Sequence, residues 1–173
     1  MKKTILFLTI NIIFLTTNYL LAQTCQAYIP NEWEDNRYTN HGNGTVTDNQ
    51  TNLMWKKCTQ GRSGNDCDTG ELSDYNWEKA LQLVNNYSFA SYDDWRLPNA
   101  KELTSLVSYK CVLPSINKNI FPNTPLGYFW TSSLSVEHSG KAWLLFFKYG
   151  GNQEDNRHLR SSNHYVRLVR SGQ

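Results

Sequence analysis

Apolar residues recur at helical spacing in two stretches of the chain. In the first stretch they fall at positions i, i+3, i+4 and i+7, and they are Trp77, Ala80, Leu81 and Val84. This spacing predicts a helix that begins near Asn76 and ends at Asn85 and Asn86. In the second stretch the apolar residues fall at i, i+3 and i+4, and they are Leu103, Leu106 and Val107. They predict a helix over about residues 100–109.

The start of the second helix carries its own signals. Pro98 lacks a backbone N–H and biases the preceding residue away from helical geometry, so the Trp-Arg-Leu-Pro segment is predicted to be extended. Asn99 then suits the N-cap, and Glu102, three residues later, can close a capping box. Arg96 is close enough in sequence to pair with Glu102 across the helix start. We therefore expect structural rather than ligand-binding roles for five residues: Trp77, Trp95, Arg96, Pro98 and Glu102.

Four β-prone segments complete the predicted pattern. Residues 37–58 are predicted to form a hairpin, with β-prone runs at 44–47 and 53–56 and turn-forming residues at 48–51. Residues 128–133 form a further β-prone run. Residues 142–147 are almost continuously apolar, which suits a strand in the interior of a sheet. Residues 165–170 alternate between apolar and basic side chains and predict a closing strand.

The first 22 residues have the pattern of a secretory signal peptide. Lys2 and Lys3 precede an apolar run at residues 5–15, and the segment ends at Ala22. Polar residues interrupt the segment, which disfavours the alternative of an uncleaved membrane anchor. We therefore expect residues 1–22 to be a signal peptide. The exported chain is then expected to be secreted, periplasmic or on the cell surface, with no membrane span after cleavage.

The chain has four cysteines, and an exported protein is expected to oxidise them to two disulfides. Four cysteines allow three pairings. Cys58 and Cys67 enclose a polar, glycine-containing loop, so a local Cys58–Cys67 bridge is predicted, which leaves Cys25–Cys111 as the second bridge. A zinc site is the alternative, but Cys58 and Cys67 lack CxxC spacing and no histidines cluster beside them.

Charge is distributed unevenly along the exported chain. The sequence carries 17 Lys and Arg against 15 Asp and Glu, and the difference is the two lysines of the signal segment. This balance does not favour nucleic acid as a partner. Residues 23–75 hold four basic and eight acidic residues, whereas residues 138–173 hold six basic and two acidic ones. The basic residues of the second group are Lys141, Lys148, Arg157, Arg160, Arg167 and Arg170. They predict either ordinary solvated charge or a basic surface for an anionic ligand, such as a sulfated or carboxylated glycan.

The order of these elements resembles the Lcl C-terminal domain family, a secreted bacterial family of unknown function in the C-type-lectin-like superfamily. The matching blocks lie within about residues 37–170 and are 44–48, 51–55, 77–81, 94–103, 121–122, 129–133, 142–143 and 166–170. Asn52 stands where the family commonly has glycine. The resemblance implies an α+β, C-type-lectin-like fold, in which two helices pack on a small, twisted, mostly antiparallel sheet with long loops and disulfides. The exported chain is then an N-terminal arm, residues 23–36, followed by one lectin-like domain, residues 37–173.

The loop at residues 150–160 lies near where lectin-like folds commonly carry their ligand-binding loops. We expect five residues in and beside this loop to contact a ligand: Lys148, Asn152, Asp155, Arg157 and Arg160. Its oxygen-rich half, residues 152–156, offers the hard ligands that calcium prefers, but it lacks the sugar signatures of calcium-dependent lectins. The loop is therefore compatible with calcium, yet we predict no cofactor and no metal site. A soluble loop without a ligand is the alternative.

Members of this family occur as surface proteins and as heads of collagen-like adhesins, which implies binding rather than chemistry. We expect an exported, non-enzymatic, adhesin-like module that recognises an extracellular glycan or a surface protein. One alternative is a structural envelope protein that makes protein–protein contacts. Another is an enzyme similar to formylglycine-generating-type proteins, which share an Arg-Leu-Pro segment. Those enzymes need cysteines late in the domain, and no cysteine follows Cys111.

Overall fold

The computed structural model of the chain describes residues 22–153 and 159–172. The predicted signal peptide therefore lies, apart from Ala22, outside the described residues. Within those residues, no helix is both long and apolar enough to cross a lipid bilayer.

Short strands dominate the described structure. The helices are α1, Trp77–Gln82, and α2, Ala100–Thr104, and a single 3₁₀ turn covers Asp35–Arg37. The strands are β1 Thr24–Cys25, β2 Tyr38–Asn40, β3 Thr45–Asp48, β4 Leu53–Lys56, β5 Arg62–Ser63, β6 Thr69–Gly70, β7 Asp74–Tyr75, β8 Cys111–Val112, β9 Tyr128–Leu134, β10 Ala142–Phe146, β11 Gly151–Gln153, β12 His164–Tyr165 and β13 Val169–Ser171. The predicted hairpin forms as β3 and β4.

The strands form two main sheets and two small ribbons. The larger sheet has five strands in the order β11-β10-β9-β12-β7, and the second has four in the order β13-β4-β3-β2. The ribbons are β1 with β8 and β5 with β6. Only the contact between β12 and β9 is parallel among the described strand pairs. Small antiparallel sheets with two short helices and two disulfides make this an α+β fold, as predicted.

The five-stranded sheet is buried on both faces, which explains the nearly continuous apolar run of β10. Phe129 pairs with Leu145, and both belong to one buried cluster together with Trp55, Phe121 and Leu103 of α2. Their neighbours Trp130 and Leu144 pair with each other and belong to a second cluster. Because successive strand residues point to opposite faces, the sheet separates these two clusters. The prediction of an interior strand over residues 142–147 is thus confirmed.

Both helices begin where the sequence signals place them. The Asn76 side chain accepts a hydrogen bond from the Lys79 N–H at the start of α1. At α2, the Asn99 side chain accepts from the Glu102 N–H at 2.8 Å, and a Glu102 carboxylate oxygen accepts from the Asn99 N–H at 2.8 Å. The predicted capping box is therefore present.

The second helix is shorter than predicted. It ends at Thr104 rather than near residue 109, because Leu106 and Val107 donate backbone hydrogen bonds to residues three positions earlier. This tighter turn places both side chains fully in the core and lets Val107 form a bridge to Ile116. The apolar spacing therefore identified the buried residues correctly but not the backbone conformation after the first helical turn.

The prediction of one continuous strand over residues 165–170 is wrong. The segment instead divides into β12, which joins the five-stranded sheet, and β13, which pairs with β4 in the four-stranded sheet. Between them Arg167 is fully buried, and its guanidinium donates to the backbone carbonyls of Lys56 and Lys57 and, at 2.8 Å, to the Thr124 hydroxyl. The polar partners inside the domain stabilise this break between two sheets.

Burial also changes the expected basic surface. Arg170, only 4% exposed, donates a hydrogen bond to the Asp94 carboxylate at 2.6 Å, and Arg167 and Lys141 are buried as well. These three residues are among the six basic residues of the segment 138–173, for which a basic surface is one of two predictions. They add little exposed charge to the region, because their side chains are largely buried.

The four cysteines pair as predicted. Cys58 is bonded to Cys67 across a loop, and Cys25 is bonded to Cys111, which joins the N-terminal arm to the middle of the domain. The arm is further held by Trp33, whose indole N–H donates to the Ser105 carbonyl at 2.9 Å. The arm thus packs against the rest of the fold.

Candidate ligand-binding cleft

The two described cations of the predicted ligand site do not converge. Arg160 donates its backbone N–H to the Gly140 carbonyl, just before β10, whereas Lys148 follows the end of β10. The strand between them is about 13 Å long at 3.3 Å per residue. The Arg160 guanidinium lies 5.3 Å from the centre of the Trp77 ring, and the Lys148 ammonium lies 5.1 Å from the Tyr149 ring. Each cation is therefore placed beside a different aromatic ring.

The rest of that predicted site falls largely outside the description. Asp155 and Arg157 lie outside the described residues, and for Asn152 the structure gives only the backbone, which pairs with Leu145 in β11. The ligand role of the loop at residues 150–160 remains a prediction.

The residues expected to be structural lie within the scaffold. The indole N–H of Trp77 donates to the Thr131 carbonyl at 2.8 Å, and the Pro98 carbonyl accepts from the Ser132 N–H at 2.8 Å. The predicted Arg96–Glu102 pair forms with two hydrogen bonds of 2.7 Å. The first two interactions connect α1 and the segment before α2 to strand β9.

A cleft of about 270 Å³ opens between the loop that precedes β3 and the disulfide-closed loop that follows β4. Three cationic side chains line it: Lys56, Lys57 and Arg62. None of the described residues that line this cleft is acidic. We call it the cationic cleft, and its electrostatic potential favours an anionic group.

Lys56 is the unusual cation of the cleft. It is 6% exposed, and its ammonium donates to the Gln60 side-chain oxygen at 2.9 Å and lies 5.1 Å from the Phe89 ring centre. Within the described residues, no carboxylate lies within ion-pair distance of it. Burial, together with the nearby charge of Arg167, lowers the pKa of Lys56 to about 8. A buried ammonium without an anion is unfavourable, so the site gains from an anionic ligand.

Three other buried or half-buried basic side chains have the carboxylate partner that Lys56 lacks, whereas Arg167, among the described residues, donates only to carbonyl and hydroxyl oxygens. Arg37 makes two hydrogen bonds to the Asp48 carboxylate, at 2.8 and 2.6 Å. Arg96 and Arg170 are likewise paired with carboxylates. Although burial opposes ionisation of Asp48, hydrogen bonds from Arg37 and from a threonine hydroxyl hold the pKa of its carboxyl below its usual value.

An aromatic wall faces the cations of the cleft. Phe89 lines it and packs against Gly44, where an added Cβ would lie 2.7 Å from the Phe89 ring and where φ is +86°. Trp95 supports Phe89 from behind, through an edge contact with ring centres 6.0 Å apart and a 3.0 Å hydrogen bond to the Phe89 carbonyl. Glycine at position 44 is therefore required both by the backbone and by this close approach.

The opposite wall belongs to the loop closed by the Cys58–Cys67 disulfide. Arg62 lies in β5, which pairs with β6, and its guanidinium donates to the Asp68 carbonyl at 2.8 Å. The disulfide and this short ribbon hold the charged side chain at the cleft. The net charge of residues 23–75 gave no indication of a cationic site, because this stretch is acidic overall. Its four basic residues nevertheless include Lys56, Lys57 and Arg62. Their close spacing was the available signal.

Residues suited to a metal do not cluster in the part of the chain that the structure describes. No group of three or more His, Cys, Asp or Glu side chains is placed there to hold an ion. The cleft instead offers amines, a guanidinium, amides and an aromatic ring, which are groups that recognise organic anions.

The chain folds as a small, disulfide-linked α+β domain with a cationic cleft. The family model described as the Lcl C-terminal domain matches residues 44–170, which is most of the chain, and the chain belongs to this family. The family predicted from the sequence is thereby confirmed. Comparison with curated proteins gives no match.

Proposed function

We propose that this protein is an exported, non-catalytic binding module that holds an anionic extracellular glycan in the cationic cleft. The observation that supports the proposal is the set of three cations around a cleft with no acidic residue in its described lining. The two disulfides fit an extracellular or secreted protein, because such bonds persist in oxidising compartments. An adhesin-like role follows if the glycan belongs to a cell surface or matrix.

A finer fold assignment accompanies this proposal. We place the domain in the C-type-lectin-like superfamily, because it combines two short helices, small antiparallel sheets, long loops and disulfides. The cationic cleft would then be built from the loops around β3 and β4, rather than from the loop at residues 150–160. Lys148 and Arg160 would act as secondary contacts at most.

A comparison of two double variants tests the location and the chemistry together. Binding to an array of carboxylated, sulfated and neutral glycans is measured at several salt concentrations. Lys57→Gln with Arg62→Gln removes two charges from the cleft, and the matched control Lys148→Gln with Arg160→Gln removes two charges elsewhere. We expect the cleft variant to bind at least about tenfold more weakly, and the control to change less than about twofold.

Two other outcomes would contradict the proposal, one by placing the ligand elsewhere and one by showing no charge-dependent binding. Loss of binding only in the Lys148 and Arg160 variant would return the ligand to the ends of β10. If no anionic glycan binds the unmodified protein, or if binding is insensitive to salt, the proposal fails, because charge attraction must weaken as salt rises.

A structural envelope protein is the second candidate, and exposed apolar side chains favour it. Leu134, Val136 and Leu159 are 54%, 99% and 52% exposed. They are near one another in the fold, because Leu134 pairs with Ala142 at the start of β10 and Arg160 bonds to Gly140. Salt-insensitive capture of one envelope protein, abolished by Val136→Asp but not by the cleft variant, would support this function instead.

A further inference from the structure

We infer that the cationic cleft holds one carboxylated sugar ring of the hexuronic-acid type, with its carboxylate on the Lys56 ammonium and its ring against Phe89. We further infer that binding takes up a proton at Lys56. This inference rests on the proposed function, and it names the chemical class of the ligand and the residue that makes recognition depend on pH.

The ammonium of Lys56 has neutral or positive neighbours from every described element packed against it. Gln60 accepts its hydrogen bond, and the rings of Phe89 and Tyr87 lie 5.1 and 6.0 Å away. Arg167, from the segment between β12 and β13, adds a positive charge, as do Lys57 and Arg62 around the cleft. Tyr87 is uncharged, because burial raises the pKa of its hydroxyl above the ordinary value. A ligand carboxylate would therefore supply the one charge type that the described site lacks.

A proton accompanies the anion for a simple reason. Burial lowers the pKa of Lys56 to about 8, so part of the free protein carries a neutral amine in mildly alkaline solution. A carboxylate in contact with the amine favours the charged form and raises its pKa. Binding must then take up a proton wherever the free amine is partly neutral. Arginine at this position would stay charged and would remove the coupling.

The remaining lining suits a sugar ring. Phe89 provides an apolar face for the C–H groups of a ring. The Asn40 and Asn43 side-chain oxygens accept hydrogen bonds from the loop, from Gly42 and Thr45. Their amide NH₂ groups have no acceptor within the described structure, so they are available to ligand hydroxyls. One apolar wall and several amide donors match an amphipathic sugar.

The volume of the cleft and the charge density of the anionic group further restrict the class of ligand. A volume of about 270 Å³ lies at the small end of ligand sites, so the cleft holds one ring rather than several. Lys56 is a compact donor that must give up water to be used. A carboxylate concentrates its charge on two oxygens and compensates that desolvation better than a sulfate ester, which spreads its charge over three. The inference therefore favours a uronate over a sulfated sugar.

Calorimetric titration of the exported protein, with both disulfides formed, tests each part. The probes are glucuronate, glucose and glucose 6-sulfate, which differ in the group at one carbon, and polygalacturonate, which presents uronate within a polymer. Titrations run from pH 6.5 to 9.5 in two buffers of different ionisation enthalpy, which measures proton uptake. We expect glucuronate to bind at least about tenfold tighter than either matched sugar. Its affinity should fall about tenfold per pH unit well above pH 8.

Three variants assign the effect to its residues. Lys56→Gln should reduce glucuronate affinity at least about tenfold, whereas Lys56→Arg should retain binding but show no proton uptake and no loss between pH 7.5 and 9.5. Phe89→Leu should weaken binding of all ring-containing probes alike. The control Lys148→Gln should leave affinity and proton uptake unchanged.

Each outcome separates this inference from the proposed function. If glucose 6-sulfate binds as tightly as glucuronate, or if Lys56→Arg still takes up a proton, the inference fails while the anionic-glycan function stands. If neither the monomers nor any anionic polymer bind, both fail. Binding of polygalacturonate without glucuronate would place the uronate unit within a chain, whereas equal binding per ring would place it at a chain end or in free form.

Discussion

Replacement of Lys56 by methionine is expected to raise the stability of the fold and to abolish ligand binding in the cleft. Methionine keeps an unbranched side chain of similar length and removes the buried charge. Because burial lowers the pKa of Lys56 from 10.5 to about 8, the charged form is disfavoured in the folded state. At about 1.4 kcal/mol per pKa unit, keeping Lys56 charged in the folded state costs about 3 kcal/mol of stability below pH 8. The variant also loses the hydrogen bond to Gln60, worth about 1 kcal/mol.

The expected result is a variant that is more stable than the parent in neutral solution but binds no ligand. Its free energy of unfolding at pH 6 should exceed that of the parent by about 2 kcal/mol. As pH rises from 8 towards 10.5, the folded parent loses the Lys56 proton while the unfolded chain keeps it. The parent therefore gains stability over that window, and the difference between the proteins should shrink by about 2 kcal/mol by pH 10.

Urea unfolding followed by tryptophan fluorescence measures both proteins at matched pH values. The difference between them cancels the titration of groups that they share. Lys148→Met is the matched control, because Lys148 is only half-buried and contacts a single exposed ring. A difference that stays constant between pH 6 and pH 10 would show that the Lys56 ammonium is not desolvated. That result would remove the physical basis of the cleft's pH dependence.

Three further changes probe the scaffold around the site. Asp48→Ala leaves the Arg37 guanidinium buried without its carboxylate, and urea unfolding at pH 7 should show a loss of about 3–5 kcal/mol in the free energy of unfolding. Because the pKa of Asp48 is held below 3.8, the stability that this pair gives the parent should persist above that pH and decline as pH falls through the lowered pKa. A parent stability that does not change in acid would contradict this reasoning. Asn99→Ala removes the cap of α2 and should lower the free energy of unfolding by about 1 kcal/mol, measured by urea titration, with an unchanged value arguing against the capping box. Replacing Cys58 and Cys67 together by serine should lower stability by about 2.7 kcal/mol in the chain-entropy model and weaken ligand binding, because the loop wall of the cleft is no longer held; full retention of both would refute its role.

Local signals predicted local structure well. Asn76 and Asn99 cap the two helices as expected, because a capping side chain bonds to a backbone group only three residues away. The Cys58–Cys67 pairing was also predictable, since a short polar loop leaves few alternatives. In each case the partners lie within about ten residues of each other, so the sequence shows the whole interaction.

Features that depend on distant partners were not visible in the sequence. Arg167 sits in a pattern typical of a strand with a solvated basic face, and its burial depends on carbonyls of residues 56 and 57 and on Thr124. The cationic cleft likewise needs Phe89, which lies beside Lys56 and packs against Trp95. Spacing along the chain cannot report such contacts, and a regional count of charges averages them away.

Residues 164–171 complete both sheets of the domain, because the segment contributes one strand to each. β12 joins Tyr75 and Phe129 in one sheet, and β13 then pairs Val169 with Trp55 in the other. Without this segment, β7 would lose its strand partner, β4 would become an edge strand, and the backbone carbonyls of residues 56 and 57 would lose the Arg167 guanidinium. Neither sheet is complete until this segment is in place, because β12 joins β7 to β9 and β13 covers β4. The cleft depends on the same segment, because Lys56 and Lys57 line it and their backbone carbonyls accept hydrogen bonds from Arg167.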